Sequence, residues 1–240
     1  MGNRSSVGTT RVSVGTQRGA DRRLRLEMPL LVAAVGVFAF TTAPALDGVP
    51  TFERRLFETV NTYPGWLETP VHVVMTLGLV IAVPLLAGAA FLLRHPRAGT
   101  AIGVAGMAAY LLAKVGKDVV ARGRPLTVFG DAEVIGRGAI QAGLGFPSGH
   151  AAVSTAIVCA AIPFLRTPWR WALLVVPVLV SFGRVYVGAH LPLDVVGGAA
   201  IGLFCAAAYH LVISRPSVRG ADVEEPAVTS EPALGSARDA

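Results

Sequence analysis

The chain has 240 residues, 53% of them hydrophobic and only 15% charged, with a mean hydropathy of +0.59. Soluble domains carry about 25% charged residues, so this composition excludes an ordinary soluble protein and points to the bilayer. The net charge of +6 and pI of about 10.0 would suit nucleic acid. Much of that excess, however, is Arg flanking apolar runs with no recognition motif around it, which fits membrane orientation and anionic lipid better.

Residues 1–27 carry six Arg and little apolar residue, and read as a disordered basic arm. The start fits the myristoylation pattern at Gly2 and Ser6, a motif short enough to match by chance. Apolar runs long enough to span a bilayer, about 20 residues each, follow at 28–45, 70–93, 98–117, 149–165, 169–187 and 193–213. The first is long for a signal peptide and is followed by a weak cleavage pattern, so it reads as a retained span. The expected fold class is all-α, a six-transmembrane helical bundle over residues 28–213. Residues 214–240, rich in Pro, Ser, Ala and Glu, read as a disordered tail.

Six spans put Arg22, Arg23, Arg25, Arg94, Arg97, Arg166, Arg170, Arg215 and Arg219 on one face. By the positive-inside rule that face is cytoplasmic, with both termini, in what reads as a bacterial cell membrane. On the opposite face, Phe52, Leu56 and Val60 recur at helical spacing among Arg54, Arg55 and Glu58. They read as a short amphipathic helix at the outer interface, anchored by Trp66. Such a helix either covers a lateral opening for a lipid tail or lies on the surface without substrate contact. The Gly-rich stretch 129–146 is long enough to form a lid. Cys159 and Cys205 fall inside spans, where a small polarisable side chain packs well and no disulfide is expected.

Ionisable residues at membrane depth cost roughly 2.5–3.5 kcal/mol each, so their placement is informative. Lys117 and Arg124, in "KDVVARGRP", are seven residues apart, about two helical turns, which puts both cations on one helix face before Pro125 stops it. "PSGH" places Ser148, Gly149 and His150 at a helix start, where free N–H groups and the helix dipole attract anions. "GRVYVGAHLPLD" supplies Arg184, His190 and Asp194, the last two at i and i+4. Each cluster alone has a structural reading: snorkelling cations, a helix cap, an acid in a first turn. Topology brings all three to the outer face, where three cations and a helix N-terminus make a phosphate cradle, and two histidines and a carboxylate make a nucleophile and an acid. His72, His95 and His210 lack charged partners at useful spacing and read as structural or interfacial. Lys114 and Arg122 add to the positive field without occupying a motif position.

The combination resembles the type 2 phosphatidic acid phosphatase (PAP2) superfamily, whose motifs run K-x6-R-P, P-S-G-H and S-R-x5-H-x3-D. The resemblance covers residues 50–213 in the family's order and spacing. It departs at Gly183, where the family usually has Ser, and this puts one hydrogen bond to phosphate in doubt. The resemblance implies a lipid phosphatase with no metal and no cofactor. In it His190 is the nucleophile, Asp194 orients its imidazole, and His150 protonates the leaving group. Lys117, Arg124, Ser148, Gly149 and Arg184 bind the phosphoryl oxygens. The implied partners are the bilayer and a lipid phosphate or isoprenoid diphosphate substrate, with no nucleic acid. Three rival readings share some of these residues: a lipid phosphotransferase, an intramembrane serine protease using Ser148 with His190, and a non-enzymatic anion transporter.

Overall fold

The structure, a computed structural model, describes residues 9–130, 132–139, 142–165 and 169–212; for residues 9–23 and 169 only the backbone is described. The tail read at 214–240 lies outside the described residues, as do Arg166, Arg215 and Arg219. Among the described residues the chain is all helical. In order run α1 Thr9–Leu46, α2 Thr51–Asn61, α3 Glu68–Met75, α4 Ala82–Leu92, α5 Pro96–Val120, α6 Pro125–Phe129, α7 Gly149–Ala161, α8 Trp169–Ala172, α9 Val175–Tyr186 and α10 Pro192–Val212. One isolated antiparallel bridge joins Gly123 to Leu144.

The helix that contains the first apolar run begins at Thr9, well inside the stretch read as an unstructured arm. Once a span has nucleated a helix, each residue added upstream gains a hydrogen bond without a new nucleation cost.

Three helical segments are long and apolar enough to cross a membrane: Leu24–Leu46, Pro96–Val120 and Pro192–Val212. A fourth is gained if Gly65–Gly78 and Ala82–Leu92, bent by 68° at their break, count as one. The runs expected as the fourth and fifth spans are shorter helices: α7 with a 3-10 turn at Ile162–Phe164, and α8 followed by α9. The second and fifth expected spans are interrupted, and each helix that resumes carries a proline in its first turn. Pro84 is the third residue of α4 and Pro177 the third of α9. A proline ring crowds the carbonyl four residues earlier and cannot donate there, which favours a break just upstream, although α1 runs on through Pro29 and Pro44. Large apolar side chains such as Phe40, Leu92 and Val119 are 76%, 87% and 75% exposed. That is the surface of an integral membrane protein, whose outside faces lipid.

The centre is built from small residues. Ala101, Ala105, Ala109 and Ala113 form one stripe on α5, and Ala152, Ala156 and Ala160 another on α7, both packed with Ile201, Cys205 and Tyr209 of α10. Four-residue spacing keeps each stripe on one helix face, and methyl-sized knobs let the backbones approach. Gly198 and Gly202 take this further. A Cβ on Gly198 would lie 2.3 Å from the Ser148 carbonyl oxygen, and one on Gly202 2.3 Å from that of Ala152. Helices α7 and α10 thus touch backbone to backbone at the end where the polar motifs lie. Cys159 and Cys205 are free thiols, as expected.

Candidate active site

Helix α5 stops at Val120, five residues before Pro125, because Ala121 turns into the left-handed region and its N–H closes onto the Lys117 carbonyl. Arg124 is therefore not on the helix face with Lys117, as its spacing suggested. It sits in extended backbone before Pro125, which opens α6, as expected of a residue preceding proline. The two cations still converge. Lys117, Arg124, Gly149, His150, Arg184 and His190 line one cavity of about 510 Å³. Ser148 and Asp194 lie just behind its wall, fully buried.

Ser148 occupies the N-cap position of α7 but makes no side-chain cap bond. Its buried Oγ has no hydrogen-bond partner among the described residues, and neither does Arg184 Nε. Buried polar groups are normally satisfied, so the open Ser148 hydroxyl at the start of α7 and the open Arg184 Nε in the last turn of α9 suit a phosphoryl oxygen. The Ser148–His190 pair that a serine protease needs is absent. Lys117 Nζ donates to the Leu144 and Gly145 carbonyls at 2.8 and 3.0 Å, tying the loop before the PSGH motif to α5.

His190 stands in the turn between α9 and α10, its N–H and that of Ala189 both donating to the Arg184 carbonyl. Asp194, on the first turn of α10, places Oδ2 3.4 Å from His190 Nδ1, and the same oxygen accepts from the Leu191 N–H at 2.9 Å. A carboxylate at Nδ1 fixes the tautomer and leaves the lone pair on Nε2. Burial pushes the His190 imidazole well below its usual pKa, and the charges of Arg184, Lys117 and Arg124 push it the same way. It is held neutral, the state a nucleophile requires. The Ser148 N–H donates to the Asp194 carbonyl at 2.8 Å, which couples the second motif to the third.

Gly183 does not face the cavity. A Cβ there would meet Met75 Cγ at 2.8 Å and Val71 Cγ1 at 2.9 Å on α3. The residue lets α3 approach α9.

The structure adds residues that the sequence reading left out. His72, read as interfacial, lines the cavity with Met75, Leu79, Val80, Tyr110 and Val153. The His72 Nδ1 lies 2.9 Å from the Glu68 carbonyl, which only a protonated Nδ1 can satisfy. Within the stretch expected as a lid, Gly138 and Ala139 are part of the wall. The buried Arg137 donates to the Asn61, Tyr186 and Tyr63 carbonyls at 2.8, 2.6 and 3.0 Å, and its guanidinium lies 4.1 Å from the centre of the Tyr186 ring.

Helix α2 forms as expected, and its Phe52 and Leu56 are exposed, but its inward face carries Glu53, Phe57 and Asn61. Glu53 and Arg122 are buried against Asp194. No local pattern marks them. An acid beside Arg54, Arg55 and Glu58 looks like part of a solvated face, and Arg122 sits between motif positions.

Residues 98–216 match the model of the PAP2 superfamily. An undecaprenyl-diphosphatase from Sulfolobus acidocaldarius is 33% identical over 112 residues, which cover 45% of this chain and 52% of that protein. The match thus spans about half the length of that relative. Among solved structures, Aquifex aeolicus LpxE superposes with a TM-score of 0.58 at 25% identity, covering 63% of this chain and 90% of that one. The PAP2-type phosphatidylglycerolphosphate phosphatase from Bacillus subtilis gives 0.55 at 23% identity, covering 72% and 92%, and so shares the fold. All three motifs lie inside the matched stretch and meet at one cavity: the chain belongs to the PAP2 superfamily.

Proposed function

We propose that this protein is a metal-independent membrane phosphatase that hydrolyses a lipid phosphate or isoprenoid diphosphate on the extracytoplasmic side. The observation that carries the reading is His190 on the cavity wall, with Asp194 at its Nδ1 and Lys117, Arg124 and Arg184 around the same space. In the first step His190 Nε2 attacks phosphorus and the bond to the leaving oxygen breaks. His150, at the N-terminus of α7, gives that oxygen its proton. Water then attacks phosphorus, passing a proton to His150, and the N–P bond breaks, which frees His190 and releases inorganic phosphate. The three cations, the Ser148 hydroxyl and the Gly149 N–H stabilise charge on the equatorial oxygens throughout. Six membrane crossings, with both termini cytoplasmic, complete the proposal: the bent pair α3–α4 is one crossing, α7 with its 3-10 turn another, and α8 with α9 a third. The undecaprenyl-diphosphatase relative supports an isoprenoid diphosphate as one substrate class. The apolar wall formed by Leu79, Val80 and Val153 suits a lipid chain continuous with the head group.

The test is phosphate release by the purified protein from a panel of lipid monophosphates and diphosphates, with EDTA present. Release should survive chelation and fall by on the order of 10³-fold or more in His190→Ala. Acid-labile phosphoenzyme should form in the wild type and be missing in that variant. Activity lost to EDTA and restored by a divalent ion would exclude the metal-free mechanism. Adding an alcohol acceptor distinguishes hydrolysis from phosphate transfer to a second lipid.

A further inference from the structure

Asp194 is the one acid behind the proposed nucleophile, yet it has a partner on its far side. Arg122 Nη1 donates to Asp194 Oδ1 at 3.1 Å and to Glu53 Oε1 at 3.1 Å, while its Nη2 donates to Glu53 Oε2 at 2.5 Å and to the Gly48 carbonyl at 2.7 Å. Glu53 Oε1 also accepts the Leu193 N–H at 2.8 Å, one of the open donors at the start of α10. Both side chains are shut away from solvent, 4% and 0% exposed. The result is an unbroken buried series from α2 through the α5–α6 connection to α10: Glu53, Arg122, Asp194, His190.

Buried charges are costly unless they are paired and their hydrogen bonds satisfied. A fold could seal α2 against α10 with apolar residues instead, so a carboxylate–guanidinium–carboxylate series here points to a use beyond adhesion. We propose that Glu53 and Arg122 are positioning residues for the reaction described above, holding the Asp194 carboxylate in the rotamer and ionised state that orient His190. The inference rests on that functional reading.

The geometry divides the work. Arg122 takes Asp194 Oδ1 and so leaves Oδ2 to face His190 Nδ1 and the Leu191 N–H. Without it, two carboxylates would share one buried space, and one of them would take up a proton. Glu53 balances Arg122, so that the series carries one net negative charge toward the imidazole rather than none. That charge stabilises the positive imidazole ring of the phosphohistidine, so its loss slows turnover while the phosphate cradle stays intact.

The experiment compares Glu53→Gln, Arg122→Met, Arg122→Lys and the double variant Glu53→Gln/Arg122→Met in detergent, on a substrate that the wild type hydrolyses. Expected are kcat losses of about 10-fold for Glu53→Gln and about 100-fold for Arg122→Met, with KM within threefold of wild type, and partial recovery in Arg122→Lys. The double variant removes the clash of two carboxylates and keeps the single charge of Asp194 but not the bond that fixes its Oδ1, so its melting temperature should rise above that of Arg122→Met while its kcat stays low. Three results overturn the proposal: folded variants with kcat within threefold of wild type, a loss carried by KM, or a double variant that recovers kcat along with stability. Failure of all the variants to fold also overturns it, in favour of a purely structural pair. An inactive wild type would sink the phosphatase reading instead, so the two failures are separable.

Discussion

His190 is 2% exposed, in a turn outside the helices, with three cations around it. In the unfolded chain its pKa is about 6.5; in the fold it lies well below that. As pH falls through about 6.5, the unfolded chain therefore takes up a proton that the folded protein refuses. Stability from this residue is complete above that value and declines below it, by up to about 1.4 kcal/mol per pH unit. The melting temperature in detergent should drop more between pH 7 and pH 5 for wild type than for His190→Gln; equal drops would show that the histidine protonates freely in the fold. That Lys117, Arg124, Gly149, His150, Arg184 and His190 meet at one cavity was legible, because each cluster stands at the end of an apolar run. Glu53 and Arg122 were not, because their meaning comes from contacts across the chain. Glu53 reaches a residue 140 positions away, and the pattern of α2 gives its acid no local distinction.

At the scale of elements, helix existence was legible in apolar run length, but continuity was not. Pro84 and Pro177 each sit two residues after a helix restart; a proline in an apolar run softens its boundary without saying where upstream the helix breaks. The αL turn at Ala121 carried no Gly to announce it. Contact between α7 and α10 depends on Gly198 and Gly202, where a methyl would meet a carbonyl at 2.3 Å. Gly198→Ala should cost about 1–3 kcal/mol through forced separation of the two backbones. It should also lower kcat, because the Ser148 N–H to Asp194 carbonyl bond lies at the same crossing. Thermal unfolding and turnover of Gly198→Ala, with Gly88→Ala as an uncrowded control, check both effects. A second expectation concerns Arg137, whose removal takes a donor from the Asn61, Tyr63 and Tyr186 carbonyls, of which that of Tyr186 keeps the Asn61 side-chain amide. Arg137→Ala should destabilise by about 2–4 kcal/mol, and a melting temperature close to wild type would show that the loop is held by other contacts.

For the whole molecule, the distribution of Arg implied an orientation that can be checked directly. In a background lacking Cys159 and Cys205, Trp66→Cys should react with an impermeant maleimide added to intact cells. His95→Cys should react only after permeabilisation. The opposite pattern would turn the proposed site to the cytoplasm. The all-helical class followed from composition, because hydrocarbon forces backbone groups to pair within helices or closed barrels. Where the helices break did not follow from composition: Leu79 and Val80, at the break between α3 and α4, are part of the cavity wall. The alanine and glycine seams described above also set how this chain can vary. At positions 198 and 202 any added atom collides with a neighbouring main chain, whereas residues such as Phe40 and Leu92 meet only lipid and need only remain oily. Mutational tolerance should therefore be graded radially, near zero along the central seam and broad at the circumference.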